Sequence, residues 1–223
     1  MLFRSYRFDP ERKYILHDPD NMPEREFPGG DMIKLLGMTS IQLALLRHAD
    51  RVKIGCMTGG LGALCANNHD TVWNSASHYA FMQLIQYARG TSLQVQVDSE
   101  TFDMPGYAID DTSQYTGKNN VPYIDTACAW DDGKGKNGTL TVFVINRNLT
   151  ESYPLEIDLR GFEGYKACKH YEMFSEDFEA KSSAGKDWPA PVDARDVKIT
   201  NGIASTKVKP LSWNVFVFTS GKN

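Results

Sequence analysis

The sequence predicts two parts of different fold class, an α/β part over residues 1–90 and an all-β part over residues 91–223. In the first part, apolar residues recur at intervals of three and four residues over 31–49 and again over 76–89, which is the spacing of amphipathic helices. In the second part, apolar and polar residues alternate in successive runs, which is the spacing of half-buried strands. The change of period marks the boundary between the two parts.

The first part reads as helix, strand, loop and helix, the order of a β/α repeat. Four prolines predict an extended segment over the first 30 residues, and Asp31 is the predicted N-cap of the first helix. RVKIGCM, residues 51–57, is predicted to be a short strand. One strand and two helices cannot close a barrel or cover both faces of a sheet. We therefore expect their apolar faces to bury against polypeptide that this sequence does not contain, and the isolated chain to self-associate.

The second part contains runs such as SLQVQVDS, TLTVFVINRN and SWNVFVFTS, which are separated by turn-forming pairs. Asn201-Gly202 lies between two alternating runs, which is a strong signal for a β-hairpin. About seven or eight short strands without a helical period predict an antiparallel sandwich.

The composition argues against several classes of function. The chain has 223 residues and a formal net charge of −4 without a basic block, so neither nucleic acid nor an anionic membrane is an expected partner. No apolar stretch approaches the roughly 20 residues that span a bilayer, and no secretory signal is recognisable, so we expect a cytoplasmic protein. The four cysteines are far apart and lack CxxC spacing, so we expect buried free thiols, no metal site and no cofactor.

A glycine-rich loop, Gly59-Gly60-Leu61-Gly62, follows the predicted strand. It lacks the GxxxxGK(S/T) pattern of a phosphate-binding loop and the GxGxxG pattern at a helix start, so a nucleotide site is disfavoured. We interpret it as a loop at the carboxyl end of a strand, which in a barrel is the end that faces the active site.

The residues that are candidates for binding a substrate follow this loop in the sequence. None of the 28 acidic residues follows an apolar strand as a glycosidase acid or nucleophile does, so no catalytic carboxylate is predicted. Trp73 lies in DTVWNSASHY, where the polar loop leads into the second helix, and could form a sugar-stacking wall beside the amides of Asn74, Asn67 and Asn68. The alternative is a tryptophan that packs the loop. Trp130 and Trp213 lie in strand patterns and are predicted to be core residues, and Trp188 is predicted to anchor a loop.

Six stretches of the chain follow one another in the order and spacing of a known family. They are LLRHADRVKIGC, VWNSASHYAFMQLIQYARGTSLQ, VPYIDTACAW, GTLTVFVINRN, LEIDLRGFEGYK and PLSWNVFVF. From about Asp31 to the end, the chain resembles the carboxyl-terminal part of glycoside hydrolase family 51, the intracellular α-L-arabinofuranosidases.

This resemblance implies the end of a TIM (β/α)8 barrel followed by a β-sandwich of jelly-roll type. Residues 1–90 would be the carboxyl-terminal remnant of the catalytic barrel, with 51–57 as its eighth strand, and residues 91–223 would be the sandwich. Members of the family are commonly trimers or hexamers, so we expect the whole enzyme to be a homo-oligomer.

The resemblance also implies a retaining glycosidase, in which one glutamate protonates the departing oxygen and a second attacks the anomeric carbon. Both glutamates belong to earlier barrel strands, and their motifs do not occur here. We therefore assign no catalytic residue to this chain and expect it to be inactive alone. The expected substrate of the whole enzyme is an arabinose-containing oligosaccharide from arabinan or arabinoxylan, and the expected partner is the missing barrel portion or an upstream chain.

One substrate contact maps onto this sequence by resemblance. The family carries Trp-Arg-Gln after strand eight, and the glutamine side chain reaches the bound arabinose. The aligned residues here are Trp73, Asn74 and Ser75. Serine is too short to make the same contact unaided, which leaves the sugar specificity open.

Two alternatives stay open on sequence grounds. A non-catalytic sandwich could bind carbohydrate through surface aromatics, for which Tyr107, Tyr115 and Trp188 are the candidates. Alternatively, the chain is one half of a split enzyme whose barrel is a separate chain. Binding of arabino-oligosaccharides without a barrel favours the first alternative, and activity on co-expression with an upstream reading frame favours the second.

Overall fold

The computed structural model describes residues 31–55, 64–66, 72–110, 113–133, 138–183, 185–186, 188 and 190–220. The extended segment predicted for the first 30 residues and the glycine-rich loop lie outside these ranges. Helix α1 spans Asp31–Arg47 and helix α2 spans Ala76–Tyr87. Both predicted helices are confirmed, and each ends two residues before its predicted end. No helix in the described part of the chain combines the length and the apolar character needed to cross a membrane.

The strands are short in the first half of the chain and longer in the second. They are β1 (Leu64–Ala66), β2 (Val72–Asn74), β3 (Thr91–Leu93), β4 (Thr101–Met104), β5 (Tyr107–Asp110), β6 (Ser113–Tyr115), β7 (Lys118–Pro122), β8 (Ile124–Asp131), β9 (Thr139–Asn146), β10 (Tyr153–Asp158), β11 (Tyr165–Met173), β12 (Val192–Asp193), β13 (Lys198–Thr200), β14 (Ile203–Val208) and β15 (Ser212–Ser220). The longest strands are β8, β9, β11 and β15, with eight or nine residues each.

The described strands form two main sheets. Six strands pair in the order β12-β11-β15-β9-β8-β3, and three pair in the order β10-β14-β13, all antiparallel. The helices cover one face of the six-stranded sheet, and the three-stranded sheet covers the other face. This arrangement is consistent with the predicted antiparallel sandwich and adds α1 and α2 to it as a third layer.

Strand β15 shows why the six-stranded sheet forms the middle layer. Trp213, Val215 and Val217 belong to the core beneath the helices, whereas Phe216 and Phe218 belong to the core beneath the second sheet. Because both faces are covered, the strand is a nearly continuous apolar run rather than an alternating one.

Helix α1 packs one of its sides onto this sheet. Met32 and Leu35 are fully buried in a core that includes Phe143 of β9. The opposite side of the helix stays exposed at Ile33 and Ile41. The expectation that the helices bury their apolar faces only against absent polypeptide is therefore wrong for the inner side, because the sheet of the same chain covers it.

The hairpin predicted at Asn201-Gly202 is confirmed. Strands β13 and β14 pair with Thr200 opposite Ile203. The two turn residues have φ values of 51° and 77°, as a type I′ turn requires. Glycine is needed at the second position because a Cβ there would lie 2.9 Å from Cγ of Arg160.

The strand predicted over 51–57 is wrong for residues 51–55, which form no strand, and the last two residues lie outside the described ranges. Arg51, Lys53 and Ile54 are exposed, and none of the described strands pairs with this segment. Without a neighbouring strand, the backbone groups have no ladder to join. Between the helices, β1 pairs with β2 in an antiparallel hairpin that the sequence analysis did not predict.

A buried carboxylate fixes α1 on the six-stranded sheet. Asp125 of β8 is 6% exposed. Arg47 donates from Nη1 to Asp125 Oδ1 and to the carbonyl oxygen of Thr126, both at 2.7 Å. Arg147, which follows β9, donates from Nη2 to Asp125 Oδ2 and, at 2.7 Å, to Ser40 Oγ. The Ser40 hydroxyl donates to Asp125 Oδ2 at 2.5 Å, so one carboxylate joins the helix to two strands.

A second polar cluster surrounds His170, a buried residue of β11. Its Nδ1 lies 2.6 Å from Asp196 Oδ1, and its Nε2 lies 2.9 Å from Asn214 Oδ1. The Ser212 hydroxyl donates to the carbonyl oxygen of Lys209, so its oxygen accepts from Asn214 Nδ2. This arrangement fixes the amide with its oxygen toward the imidazole, and both ring nitrogens face acceptors.

The same carboxylate connects the two sheets. Asp196 accepts a hydrogen bond from Thr206 of β14 at 2.5 Å as well as from His170 of β11. Burial acts to raise the pKa of Asp196, but the hydrogen bonds from His170 and Thr206 and the charge of His170 bring it below its ordinary value. The His170 ring is therefore held between an oxygen of Asp196 and an oxygen of Asn214, one at each ring nitrogen.

We predict that Asp125→Asn lowers the free energy of unfolding by about 3 kcal/mol, the lower end of the range for breaking a buried ion pair. The lower end applies because the Arg47 and Arg147 side chains keep 36% and 27% of their exposure and so retain water contacts. Chemical denaturation measures the change. Asp158→Asn is the matched control, since the Asp158–Arg160 pair lies on the surface and should matter little. Equal losses in the two variants would contradict the anchoring role.

We also predict that the Asp196 carboxylate makes stability sensitive to acid. Because its folded pKa lies below the unfolded value of about 3.9, its contribution is complete above that value and is lost as the pH falls through the folded pKa. Asp196→Asn should therefore be less stable than the unmodified chain near neutral pH, and the gap should narrow below about pH 4. Urea unfolding across this range measures the gap. The exposed Asp50→Asn is the control, and a gap for Asp196→Asn that does not change with pH would refute the assignment.

Candidate functional site

The predicted substrate contacts lie where the β1–β2 hairpin leads into α2. Trp73 is in β2, opposite Cys65 of β1, and Asn74 is opposite Leu64. Ser75 follows as the N-cap of α2. Trp73 is therefore a strand residue that lies three residues before α2, and Asn67 and Asn68 lie outside the described residues.

The strand geometry separates the three side chains. Successive side chains of a strand point to opposite faces, so Trp73 and Asn74 do not share a face, whereas Trp73 and Ser75 do. The predicted wall formed by Trp73 beside the Asn74 amide is thus not what this backbone favours. A role for these residues in binding a sugar stays a prediction.

Ser75 occupies the N-cap position without capping the helix through its side chain. Its backbone is extended, with φ −84° and ψ 167°, as N-caps usually are. Its hydroxyl does not make the side-chain hydrogen bond to the helix start, and the residue is buried. The serine is therefore held inward at the start of α2, and the helix start depends on other contacts.

Trp73 carries an unused donor. Its indole Nε1 is buried and has no hydrogen-bond acceptor in the described part of the chain, although the residue as a whole is only half-buried. A buried donor without a partner is rare in native structures and calls for an explanation. Trp213 shows the ordinary situation, because its Nε1 donates to Gln83 Oε1 at 2.8 Å.

The most deeply placed carboxylates of the described residues have structural partners. Asp125 binds two arginines, and Asp31 accepts hydrogen bonds from the backbone and hydroxyl of Ser182 at 2.8 and 2.5 Å. The Glu172 side chain, 12% exposed, pairs with Lys209 Nζ at 2.8 Å. These contacts fix secondary structure elements in place, and none of them holds a carboxyl group toward an open surface as glycoside hydrolysis requires.

The His170–Asp196 pair resembles a catalytic dyad in its residue types only. The His170 side chain has no solvent exposure, and both of its nitrogens already have partners. A general base must be within hydrogen-bond reach of the proton that it takes from a substrate. We therefore interpret the pair as a structural clamp between the sheets.

The thiols of Cys128 and Cys168 are unreactive near neutral pH. Burial raises the pKa of Cys128 to about 12, and burial together with the nearby charge of Asp196 raises the pKa of Cys168 to about 12. Neither thiol forms the thiolate that acts as a nucleophile near neutral pH. Among the residues that the structure describes, no group of His, Cys, Asp or Glu has the grouping of a metal site.

The aromatic residues proposed for a sandwich surface do not form one. Trp188 is buried in the core beneath the helices, which agrees with its prediction as a loop anchor and excludes it as the surface binding residue of the alternative function. The side chains of Tyr107 and Tyr115 lie outside the described part. Trp213 is fully buried, which confirms the core prediction, and Trp130 is half-buried and donates to Tyr165 Oη at 2.8 Å.

The three charged residues that position α1 were not predicted from the sequence. Asp125 lies inside the apolar run YIDTACAW, and Arg147 directly follows the apolar run VFVIN. A charged residue inside or next to a buried strand requires a partner, so the sequence alone indicates that each of these charges is paired. The identity of that partner, Arg47 of a helix 78 residues away in sequence, requires the fold.

Comparison with known proteins shows which family the chain matches. The family model described as "Alpha-L-arabinofuranosidase C-terminal domain" matches residues 32–212. The chain is 30% identical over 179 residues to the intracellular exo-alpha-(1->5)-L-arabinofuranosidase of Halalkalibacterium halodurans. It is 28% identical over 179 residues to the intracellular exo-alpha-(1->5)-L-arabinofuranosidase 1 of Bacillus subtilis. Each match covers 79% of this chain and 33% of the relative, so the chain spans a third of the length of these relatives.

Solved structures share the fold. A family 51 alpha-L-arabinofuranosidase from Bifidobacterium longum superposes with a TM-score of 0.67 at 23% identity, over 82% of this chain and 34% of that one. The alpha-L-arabinofuranosidase of Thermotoga maritima, solved with arabinose, gives a TM-score of 0.69 at 18% identity, over 85% of this chain and 38% of that one. At these identities the likeness shows the fold alone.

We predict that Trp73→Phe changes the free energy of unfolding by no more than about 1 kcal/mol, because losing ring area is offset by removing an unpaired buried donor. Trp213→Phe, the matched control, should cost about 3 kcal/mol, because it opens a cavity and leaves Gln83 Oε1 without its donor. Thermal and chemical unfolding of both variants measure the difference. Similar losses would show that the Trp73 N–H has a partner in the folded chain.

Proposed function

We propose, from the premise that this chain belongs to the alpha-L-arabinofuranosidase C-terminal domain family of glycoside hydrolase family 51, that it is the carboxyl-terminal part of a retaining α-L-arabinofuranosidase. The whole enzyme would remove terminal arabinofuranosyl residues from arabinan or arabinoxylan oligosaccharides. The single observation that carries this proposal is the family match over residues 32–212.

The chain alone would be inactive. A retaining glycosidase needs two carboxyl groups about 5–5.5 Å apart across the sugar, one as nucleophile and one as acid and base. The deeply placed carboxylates of the described residues are instead held by Arg47, Arg147, Ser182 and Lys209. Both catalytic glutamates would lie in the part of the relatives that this chain does not match.

In this proposal, residues 1–90 are the last portion of the catalytic barrel and residues 91–223 are the carboxyl-terminal sandwich. Helices α1 and α2 would be late barrel helices that also pack on the sandwich. The core shared by the two helices and the six-stranded sheet supports such a double role. The relatives are named intracellular enzymes, and we propose the cytoplasm for this chain and a trimer or hexamer for the whole enzyme.

Trp73, Asn74 and Ser75 would lie at the edge of the sugar site. The N–H of Trp73 supports this placement, because it has no acceptor among the described residues, and a turn of the half-buried ring would let it donate to a hydroxyl group of a ligand. Ser75 would make at most a shorter contact than the glutamine found in the family, so specificity would depend more on Trp73.

A chimera tests the proposal. In it, this chain replaces the matched third of the Halalkalibacterium halodurans relative, and hydrolysis of an aryl α-L-arabinofuranoside is measured. We expect no turnover by the isolated chain and measurable turnover by the chimera. Within the chimera, Trp73→Ala should lower kcat/KM by about tenfold, which corresponds to one lost contact of about 1.4 kcal/mol.

The control for this variant is Val192→Ala, which changes an exposed residue on the edge strand β12 and should leave kcat/KM unchanged. Turnover by highly purified chain alone would show that a nucleophile is present in it. A folded chimera without activity would refute the arabinofuranosidase assignment.

A further inference from the structure

A small cavity, which we call the edge cavity, lies at the edge of the six-stranded sheet near the end of β11. Its volume is about 150 Å³, and its lining includes Glu172, Phe174, Trp188, Ala190 and Lys209. Ala190 and Lys209 are exposed, whereas the Glu172 side chain is 12% and Trp188 is 6% exposed, so the cavity runs inward from the surface. Sites for drug-sized ligands have roughly 300–1,000 Å³, so this cavity has room for one small ring.

Two opposite charges lie side by side in the wall of the edge cavity. The ammonium of Lys209 lies 2.8 Å from Glu172 Oε2 and 4.8 Å from the centre of the Phe174 ring. The other carboxylate oxygen, Glu172 Oε1, has no hydrogen-bond partner in the described part of the chain. An ammonium has three N–H donors, and an ionised carboxylate accepts at both of its oxygens. The ion pair therefore keeps both a donor and an acceptor for a ligand.

The backbone holds this ion pair in place before a ligand arrives. Glu172 lies in β11 between β12 and β15, directly opposite Asn214 of β15. The carbonyl oxygen of Lys209 accepts hydrogen bonds from Asn146 Nδ2 at 2.9 Å and from Ser212 Oγ at 2.6 Å. Because groups that are already fixed need little ordering on association, a few contacts are enough to hold a small ligand here.

The balance of charge determines which class of ligand fits the edge cavity. Glu172 repels an anion, Lys209 repels a cation, and a zwitterion would have to separate the two in order to match both charges. A neutral ring with several hydroxyl groups donates to the carboxylate and accepts from the ammonium while the pair stays intact. Phe174 and Trp188 supply apolar walls for the C–H groups of such a ring. A sugar unit has this combination of groups.

We propose that the edge cavity binds one unit of a neutral oligosaccharide. The choice of an arabinose-containing oligosaccharide rests on the proposed function. Glu172 binds the sugar and does not cleave it, because Lys209 holds its carboxylate. The cavity lies beside β11 and the segment after β14, whereas Trp73 lies in β2, so it is a second place at which the chain holds a saccharide. It would retain a polysaccharide on the enzyme between successive cleavages.

The test uses the full chain, labelled with nitrogen-15, and α-1,5-linked arabinotriose as the probe. Chemical shifts of the backbone amides measure the dissociation constant at the edge cavity. We expect the amides of Glu172, Phe174 and Lys209 to shift together and to saturate as the sugar is added. Trigalacturonic acid, which is anionic, and alanine, which is a zwitterion, should not produce these shifts. Tighter binding of either one than of arabinotriose would overturn the assignment to a neutral sugar.

Two variants test the cavity by different means. Lys209→Met removes the donor and should weaken arabinotriose binding at least tenfold, whereas Lys207→Met, the matched control, removes the same charge from an exposed residue of β14 outside the cavity lining and should not. Ala190→Phe places a ring at the exposed rim, keeps the ion pair and should also weaken binding at least tenfold. Melting temperatures show whether each variant folds, and Ala190→Phe decides the question if Lys209→Met does not.

Three further results would overturn the inference. These are the absence of saturable shifts at the named amides, unchanged binding by Ala190→Phe, and equal losses in Lys209→Met and Lys207→Met. Trp73→Ala should leave the shifts at the edge cavity unchanged, which separates this cavity from the contacts predicted at β2. Saccharide binding at the cavity together with a folded chimera that does not hydrolyse an aryl arabinofuranoside would refute the proposed function and leave the cavity assignment in place. Hydrolysis without binding at the cavity would do the reverse.

Discussion

The architecture depends on the carboxylate of Asp125, which lies between Arg47 of the helix and Arg147 at the end of a central strand. A buried charge is costly unless it is paired, so the helix cannot leave the sheet without leaving this carboxylate unpaired. The carbonyl of Thr126 and the hydroxyl of Ser40 complete the contacts around the pair. The position of α1 determines which of its sides packs on the sheet and which side stays exposed.

The six-stranded sheet separates two cores that are fixed by different chemistry. On the helix side, the polar anchors are the Asp125 ion pairs and the hydrogen bond from Trp213 to Gln83. On the other side, the imidazole of His170 and the carboxylate of Asp196 join the sheets. Each buried polar cluster accepts only one arrangement of donors and acceptors, which selects one register of the layers among those that apolar packing alone would allow.

The elements that could be predicted from the sequence are those that depend on interactions between residues close together in the chain. The two helices and the Asn201-Gly202 hairpin were predictable because their signals are local, a period of 3.6 residues and a turn that needs two positive φ values. The strand over 51–57 was predicted from an apolar run, but a strand also needs a partner, and the described part of this segment has none. Trp188 and Asp125 depend on contacts between residues far apart in sequence, which residue spacing does not encode.

Several features that the described part of the chain leaves unsatisfied lie on the two helices or just before the second one. Four large exposed aliphatic side chains lie on α1 and α2, and Trp73, whose indole N–H has no acceptor among the described residues, lies three residues before α2 begins. Exposed apolar residues scattered singly are ordinary, whereas four of them on two helices that contact each other call for an explanation. The same two helices are already anchored to the sheet by buried polar contacts, so their outer side is rigid before any partner arrives. A rigid apolar face requires little ordering on association, which is the condition under which a second polypeptide binds most readily.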